Sequence, residues 1–582
     1  MSGKHEVKPS LYVGRVRLLG GLFFVLFAML VFRLSVLQVS SSSYYRGVAE
    51  DQHAFFAKLA PARGDIKIFD QLSPEAVPVA TNVEAPLVYV VPKEIAQPAV
   101  AARVLAQALG LVEADVEGRI RNNQDKVYVP LKRNITVAER AAVEALQLTG
   151  VRFDTEVVRF YPEHEFLSHI VGFLGYREDS GSQKVGVYGL EREYDTTLAG
   201  VSGAARADTS IARRWLFGSG TEFAPARNGN QLLLTIDRSI QMQAERVLAK
   251  AVTDNLADSG CAIVMDPKTG AILAMASNPS YDPNQYNKVT DQSVFNSQCT
   301  TAGYEPGSVF KAVTMAAGVD EGVVGPDTTF TDTGSVEVDG YTIRNSDNKA
   351  HGVQTMSQVL EESLNTGMIF VKNKVGNADF LKYTKKFGFG ELTGVDLPEV
   401  AGSLSNLKGN ITVNYHTASF GQGISVTPLQ MVRAYAALAN GGKMPTPHVV
   451  ASQITPEGET VPTVLPESAQ IVKPQTAAAV SAMLVGVVER GHGKRAGVKG
   501  YYVAGKTGTA QVAKKEGGGY DPDNNIGTFV GYAPVEDPKF VMLVRVNHPR
   551  TVQFAESTAA PAWGQLAEFI LSYLNVPPTR TK

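Results

Sequence analysis

Ser308-Val309-Phe310-Lys311 sets a hydroxyl and an amine three residues apart, directly after Tyr304-Glu305-Pro306-Gly307. Residues at that spacing share one face of a helix. Proline is tolerated in a first helical turn, where its missing N–H is not needed. The string therefore predicts a helix N-terminus at Ser308, with free N–H groups and the positive dipole end beside the hydroxyl. A neutral lysine within hydrogen-bond reach of a serine turns it into a nucleophile. Ala312 to Gly318 reads on as a buried helix.

Two further strings could complete such a site. Ser363-Leu364-Asn365 falls in a break between the helical stretch Met356 to Glu362 and an apolar run from Met368, so a hydroxyl and an amide could both face a cleft. Lys506-Thr507-Gly508-Thr509 lies in Tyr502 to Val512, a strand-like stretch with small residues at its centre. Glycine inside a strand predicts a close approach to the backbone; here that is a ligand, with Lys506 and the threonine hydroxyls binding its negative end.

Each string has competitors. Ser-x-x-Lys recurs at Ser346 and Ser405, Ser-x-Asn recurs as Ser346-Asp347-Asn348, and Lys268-Thr269-Gly270 repeats the third. Lys268 sits in Asp266-Pro267-Lys268-Thr269-Gly270 between two apolar runs, which reads as a hairpin turn. Ser346 follows the strand-like Tyr341 to Arg344 in a polar loop, whereas Ser363 stands just ahead of a helix.

Ser-x-x-Lys, Ser-x-Asn and Lys-Thr-Gly in this order are the signature of penicillin-recognising serine enzymes. With Tyr304-Glu305-Pro306-Gly307 ahead of Ser308, the chain resembles the class B penicillin-binding proteins, the monofunctional transpeptidases of bacterial cell-wall synthesis. The resemblance implies an α/β fold: a five-stranded antiparallel sheet with helices plus a helical subdomain, preceded by an α+β pedestal and one transmembrane helix. It also implies roles. Ser308 is the nucleophile and Lys311 its base. Ser363 relays a proton to the leaving group, and Asn365 holds the substrate amide and Lys311. Lys506, Thr507, Gly508 and Thr509 bind the substrate carboxylate, with the N–H groups of Ser308 and Thr509 as the oxyanion hole.

Composition limits the alternatives. The 582 residues exceed one core, so two or more domains are expected. A net charge of −2 argues against a nucleic-acid partner. Two cysteines, Cys261 and Cys299, exclude a disulfide scaffold, and their pairing stays open. The nine histidines show no metal-ligand spacing, so no metal or cofactor is expected.

Leu18 to Val39 is the one membrane candidate, 22 residues long, or about 33 Å as a helix. Lys4, Lys8, Arg15 and Arg17 precede it, which keeps the N-terminus cytoplasmic. No small-x-small cleavage site follows, favouring an uncleaved anchor. The expected organisation is a tail at 1–17, an anchor at 18–39, a pedestal at 40–225, a transpeptidase domain at 226–576 and a tail at 577–582. Gly, Ser and Pro thicken from Gly200 to Gly229, which reads as a connector.

Arg63-Gly64-Asp65-Ile66, Arg159-Phe160-Tyr161-Pro162 and Gly189-Leu190-Glu191 look like pedestal elements of the family, although each alone could be an ordinary turn or a surface ion pair. Phe420-Gly421-Gln422-Gly423 before Thr427-Pro428-Leu429-Gln430 matches a family stretch near the cleft. The resemblance implies a single-pass protein of the inner membrane with its catalytic domain outside. Its partners would be peptidoglycan stem peptides, β-lactams as covalent inhibitors, a polytopic membrane glycosyltransferase and division-complex proteins. An FtsI-like division role is favoured over side-wall elongation. A β-lactamase or penicillin sensor is an alternative, since Glu361 to Asn365 also matches a Glu-x-x-Leu-Asn element, and so is a scaffold whose catalysis is secondary.

Overall fold

The stretch from Gly200 to Gly229, expected to be a connector, contains strands among its described residues. Gly203–Thr209 pairs antiparallel with both Ala54–Leu59 and Glu222–Ala224. The partner Ala54–Leu59 lies far upstream, and a non-local partner leaves no trace in local composition. The structure, a computed structural model, describes residues 21, 23–27, 29, 54–59, 61–69, 75–177, 184–209, 215–216, 222–409, 411–513 and 519–580. Its contacts group the chain into two units, Met1–Ala62 with Gly200–Asn228, and Arg63–Ala199 with Gly229–Lys582. The anchor expected at Leu18 to Val39 lies outside the described residues except for Gly21, Phe23 to Phe27 and Met29, which are helical. Among the described residues no helix is long and apolar enough to cross a membrane.

The second unit opens with β1 (Ile66–Phe69) and the long β2 (Val77–Val90). Helices α1 (Pro98–Leu109) and α2 (Glu113–Arg121) follow, then β3 (Val129–Arg133), α3 (Val137–Ala145) and β4 (Val151–Phe160). Thr136 caps α3 in the reciprocal box with Glu139 that its sequence predicts. Apolar faces of α1 and α2 close over Val88, Val90 and Leu131 of the strands. Next, β5 (Gln231–Asp237) runs parallel to β1, pairing Leu232 with Ile66, so this sheet draws strands from distant parts of the chain.

The three family strings of this region meet in one buried knot. Glu191 is fully buried and accepts from Arg63 at 2.7 Å and from Arg159 at 2.6 Å. Arg63 also reaches Asp195 at 2.9 Å.

After β5 come α4 (Arg238–Asp254) and the hairpin β6 (Ser259–Met265) and β7 (Ile272–Asn278), with Lys268 in its turn as expected. Helix α5 (Lys311–Asp320) follows. It is buried on nearly every side, the mark of a core helix. Thr329 to Thr355 forms two small hairpins, one of whose strands is the stretch Tyr341 to Arg344 that reads as strand-like in sequence. In these β8 (Thr329–Asp332) pairs with β11 (Gly352–Thr355), and β9 (Ser335–Val338) pairs with β10 (Tyr341–Arg344). Helices α6 (Met356–Glu361), α7 (Asn365–Val375), α8 (Pro428–Ala439) and α9 (Pro474–Glu489) make up much of the helical subdomain.

Strands β12 (Ala504–Ala513), β13 (Tyr520–Ala533) and β14 (Phe540–Asn547) complete the main sheet, and α10 (Ala559–Tyr573) closes it. The order β7-β6-β14-β13-β12 is five-stranded and antiparallel throughout. Both faces are covered, so β14 reads as an almost unbroken apolar run. Trp563 of α10 is fully buried and donates its indole N–H to Met542 O at 2.8 Å, which anchors the helix to the sheet.

Candidate active site

Chain direction into the nucleophile is set by glycine. Gly307 has φ +57°, the left-handed region that glycine enters without penalty. Ser308 then lies in a 3₁₀ turn, Gly307–Phe310, and the α-helix proper begins at Lys311. The expected helix start is thus one tight turn ahead of α5. Gly307 N–H donates to Gly421 O at 2.9 Å, and a Cβ on Gly421 would lie 2.1 Å from Gly307 O. The Phe420-Gly421-Gln422-Gly423 string is therefore a seat for the nucleophile turn. Thr427 and Gln430 form a capping box at the start of α8, and Tyr435 of that helix donates to Val309 O at 2.8 Å.

The loop before the turn is pinned from below. Cys261 of β6 and Cys299 form a buried disulfide across 38 residues, a closure worth roughly 4 kcal/mol on a chain-entropy basis. Arg545 of β14 is buried, donates to Gln298 O and Ala302 O, and lies over the Tyr304 ring at 4.7 Å.

Close approach at Gly508 has a different cause from the ligand expected from sequence. A Cβ there would lie 3.0 Å from Pro306 O and 3.1 Å from Val309 N. The nucleophile turn itself packs on β12 at this glycine, which binds the first string to the third.

Two lysines converge on one hydroxyl. Lys311 and Lys506 are both fully buried. Lys311 Nζ donates to Ser363 O at 2.5 Å and Ser363 Oγ at 3.2 Å. Lys506 Nζ donates to the same Ser363 Oγ at 3.0 Å and to Thr507 O at 3.2 Å. Burial, then the charge of Lys506, pushes the Lys311 pKa well below that of an exposed lysine. Burial alone brings Lys506 down to about 7. Among the described residues no carboxylate pairs with either ammonium. Two buried amines around one hydroxyl, with no counter-ion, disfavour a second positive charge. Ser308 is half-buried, and its Oγ makes no hydrogen bond among the described residues.

Asn365 departs from its expected contact. Its Nδ2 donates to Arg344 O at 2.9 Å instead of meeting Lys311. Thr509 gives its hydroxyl as acceptor to Ala555 N–H at 3.1 Å, and Thr507 is buried beside Lys506. The competing residues stand apart in kind. Ser346 and Lys408 are exposed, and Lys268 pairs with Asp537 at 2.7 Å.

Several neighbours carry no signal in sequence. Glu305 accepts from Tyr520 at 3.0 Å, and burial raises its pKa. Asn345 and Asp332 are buried behind Ser363-Leu364-Asn365. Asp332 ends β8 and Asn345 follows β10, and only the folded chain brings them together.

Two family models match the chain: the penicillin binding protein transpeptidase domain over residues 260–568 and the penicillin-binding protein dimerisation domain over 58–234. The chain is 35% identical to Stage V sporulation protein D of Bacillus subtilis over 575 residues, covering 96% of this chain and 86% of that one. It is 28% identical to peptidoglycan D,D-transpeptidase FtsI of Escherichia coli K12, covering 99% and 94%. A crystal structure of penicillin binding protein 3 from Mycobacterium tuberculosis complexed with aztreonam superposes with a TM-score of 0.68 at 27% identity, over 90% of this chain and 98% of that one. Motif order, site geometry and similarity along nearly the whole chain agree: the chain belongs to the class B penicillin-binding proteins.

Proposed function

We propose that this chain is a peptidoglycan D,D-transpeptidase that crosslinks stem peptides through an acyl-enzyme on Ser308. One observation carries the reading: Lys311 from the first string and Lys506 from the third both donate to the Ser363 hydroxyl of the second. Ser308 Oγ attacks the carbonyl between two D-alanines while Lys311 takes its proton. Backbone N–H groups at Ser308 and Thr509 receive the oxyanion, the kind of contact that is usually the largest catalytic term. The C–N bond breaks, and Ser363 relays the proton from Lys311 to the departing D-alanine. An amine from a second stem peptide then attacks the ester and releases Ser308. Lys506 and Thr507 hold the substrate carboxylate, and the Asn365 amide holds the substrate backbone. β-Lactams acylate the same serine and stay. Fluorescent-penicillin labelling of the wild type beside Ser308→Ala tests this, with peptide mapping of the adduct. Labelling that survives the substitution, or an adduct on Ser346 or Ser405, overturns it. Turnover of the adduct within seconds favours a β-lactamase.

In this reading residues 18–39 anchor the protein in the inner membrane, and 40–225 act as a pedestal that docks a polytopic glycosyltransferase. The buried Cys261–Cys299 disulfide supports an extracytoplasmic catalytic domain, since such bonds persist in oxidising compartments. Similarity to FtsI along the chain supports a septal role in division. The higher identity to a sporulation protein supports a second reading, wall synthesis during spore formation. Depletion separates them: filamentation without septa marks division, and normal growth with defective spores marks the second. A chimera with an unrelated anchor and spacer should bind penicillin but fail to support wall growth. Full rescue by it reduces the pedestal to a spacer.

A further inference from the structure

Helix α7 begins at the last residue of the second string, Asn365, yet its own sequence cannot cap it. The residue at its N-cap is Leu364, which has no side-chain acceptor, and no local side chain caps it. Ser363 stands at φ +56°, an unfavourable region for a residue with a Cβ, so its neighbours must hold it there. Lys311 supplies one restraint through Ser363 O.

Another restraint comes from the end of β10. Asn345 Oδ1 accepts from Asn365 N–H at 3.0 Å and Thr366 N–H at 3.2 Å, two of the first free donors of α7. Asn345 is thus a cap supplied from twenty residues upstream. Its Nδ2 donates to Asp332 Oδ2 at 2.9 Å, which fixes the amide orientation. Asp332 Oδ1 accepts from Thr366 Oγ1 at 2.7 Å and from Gly334 N–H at 3.0 Å, and Oδ2 also accepts from His351 N–H. All three side chains are at most 3% exposed. The carboxylate also lies by the positive end of α7, a favourable place for it.

We propose that Asn345 and Asp332 are positioning residues for the acylation step: together they fix the start of α7 and so aim Ser363 and Asn365 at the Ser308 centre. This rests on the reading that those residues act with Ser308. Ser308→Ala labelling tests that reading by itself, whatever happens at Asn345.

The decisive experiment measures penicillin acylation by stopped-flow, separating initial binding from the chemical step, with folding followed by thermal melting. Asn345→Ala is expected to slow the chemical step about ten- to a hundredfold, the scale of a small misplacement, with initial binding little changed. Thr355→Ala is the control. It removes the capping box of the adjacent α6 and leaves the Asn345 contacts intact, so acylation per folded molecule should hold.

Asn345→Asp supplies a signature that lost stability alone would not give. It keeps the acceptor for the two N–H groups but turns a second carboxylate on Asp332. One proton shared between them restores the donor, so the rate relative to wild type should recover between about pH 8 and about pH 5. The other ionisable groups of this loop are exposed or paired: Arg344 and Lys349 lie outside, and Asp347 holds His351 at 2.8 Å. A folded Asn345→Ala protein that acylates within about twofold of wild type overturns the proposal. So does an Asn345→Asp protein whose relative rate is flat with pH, or a Thr355→Ala control that loses as much as Asn345→Ala.

Discussion

Two clusters of buried charge in this protein obey opposite rules. Around Glu191 the charges balance: two arginines converge on one carboxylate, and Arg63 finds a second in Asp195. Around Ser363 they do not, since two buried lysines share a hydroxyl and a few carbonyls. A balanced cluster holds structure, because removing one partner strands the others away from water. An unbalanced one shifts its own pKa values, which is what a base near neutral pH requires.

The comparison breaks most visibly at Lys311. Lys311→Met should lower β-lactam acylation by about 10²–10⁴-fold, the usual share of a positioned base. It should change the thermal midpoint little, because relief of a desolvated amine offsets the lost contact to Ser363 O. A marked drop in melting temperature would show that the lysine is held as a structural charge after all.

Glu191→Ala should do the reverse. Stranding Arg159 and leaving Arg63 only its Asp195 partner is expected to cost about 3–5 kcal/mol, read by denaturant unfolding, while the folded fraction still acylates at the wild-type rate. Loss of acylation without loss of stability would join the knot to catalysis.

Lys506→Gln tests the coupling inside the cleft. Acylation should fall roughly ten- to a hundredfold if the charge-assisted contact is made in the transition state. Removing a positive neighbour also raises the Lys311 pKa, so the acid limb of the pH–rate profile should move to higher pH. Lys268→Gln, on its exposed hairpin turn, should leave acylation alone.

The smallest effect lies in stability against pH. Folding lowers the Lys506 pKa from 10.5 to about 7, so the folded state disfavours its charged form. As pH falls, the unfolded chain takes up the proton first. This contribution to stability is therefore lost between about pH 10 and about pH 7, and it levels off below. Lys506→Gln should flatten that part of the curve relative to wild type, and an unchanged slope would remove the buried-lysine account.

The three strings that meet at Ser363 stand out in sequence because each is contiguous: a polar group and its backbone context lie within four residues. The capping box at Thr136 and the hairpin at Lys268 were legible for the same reason. Contacts between strings were not. Gly508 reads as a place for a ligand, and the structure fills it with the nucleophile turn. Asn365 reads as a partner of Lys311, and the structure ties its Nδ2 to Arg344 O. Ser346-Asp347-Asn348 reads as a competitor for the second string, yet the residue just before it, Asn345, caps the helix of the true one.

Sequence by itself determined which groups could react, the order in which they occur and the family to which they belong. Local chemistry and chain spacing decide those matters. Tertiary structure alone decided that Cys261 meets Cys299, that Arg63, Arg159 and Glu191 form one knot, and that Lys311 and Lys506 converge on Ser363. It also decided the direction in which the two lysines shift. An exposed lysine is charged near neutral pH whatever its sequence, and burial without a counter-ion pulls the pKa of Lys311 and Lys506 down.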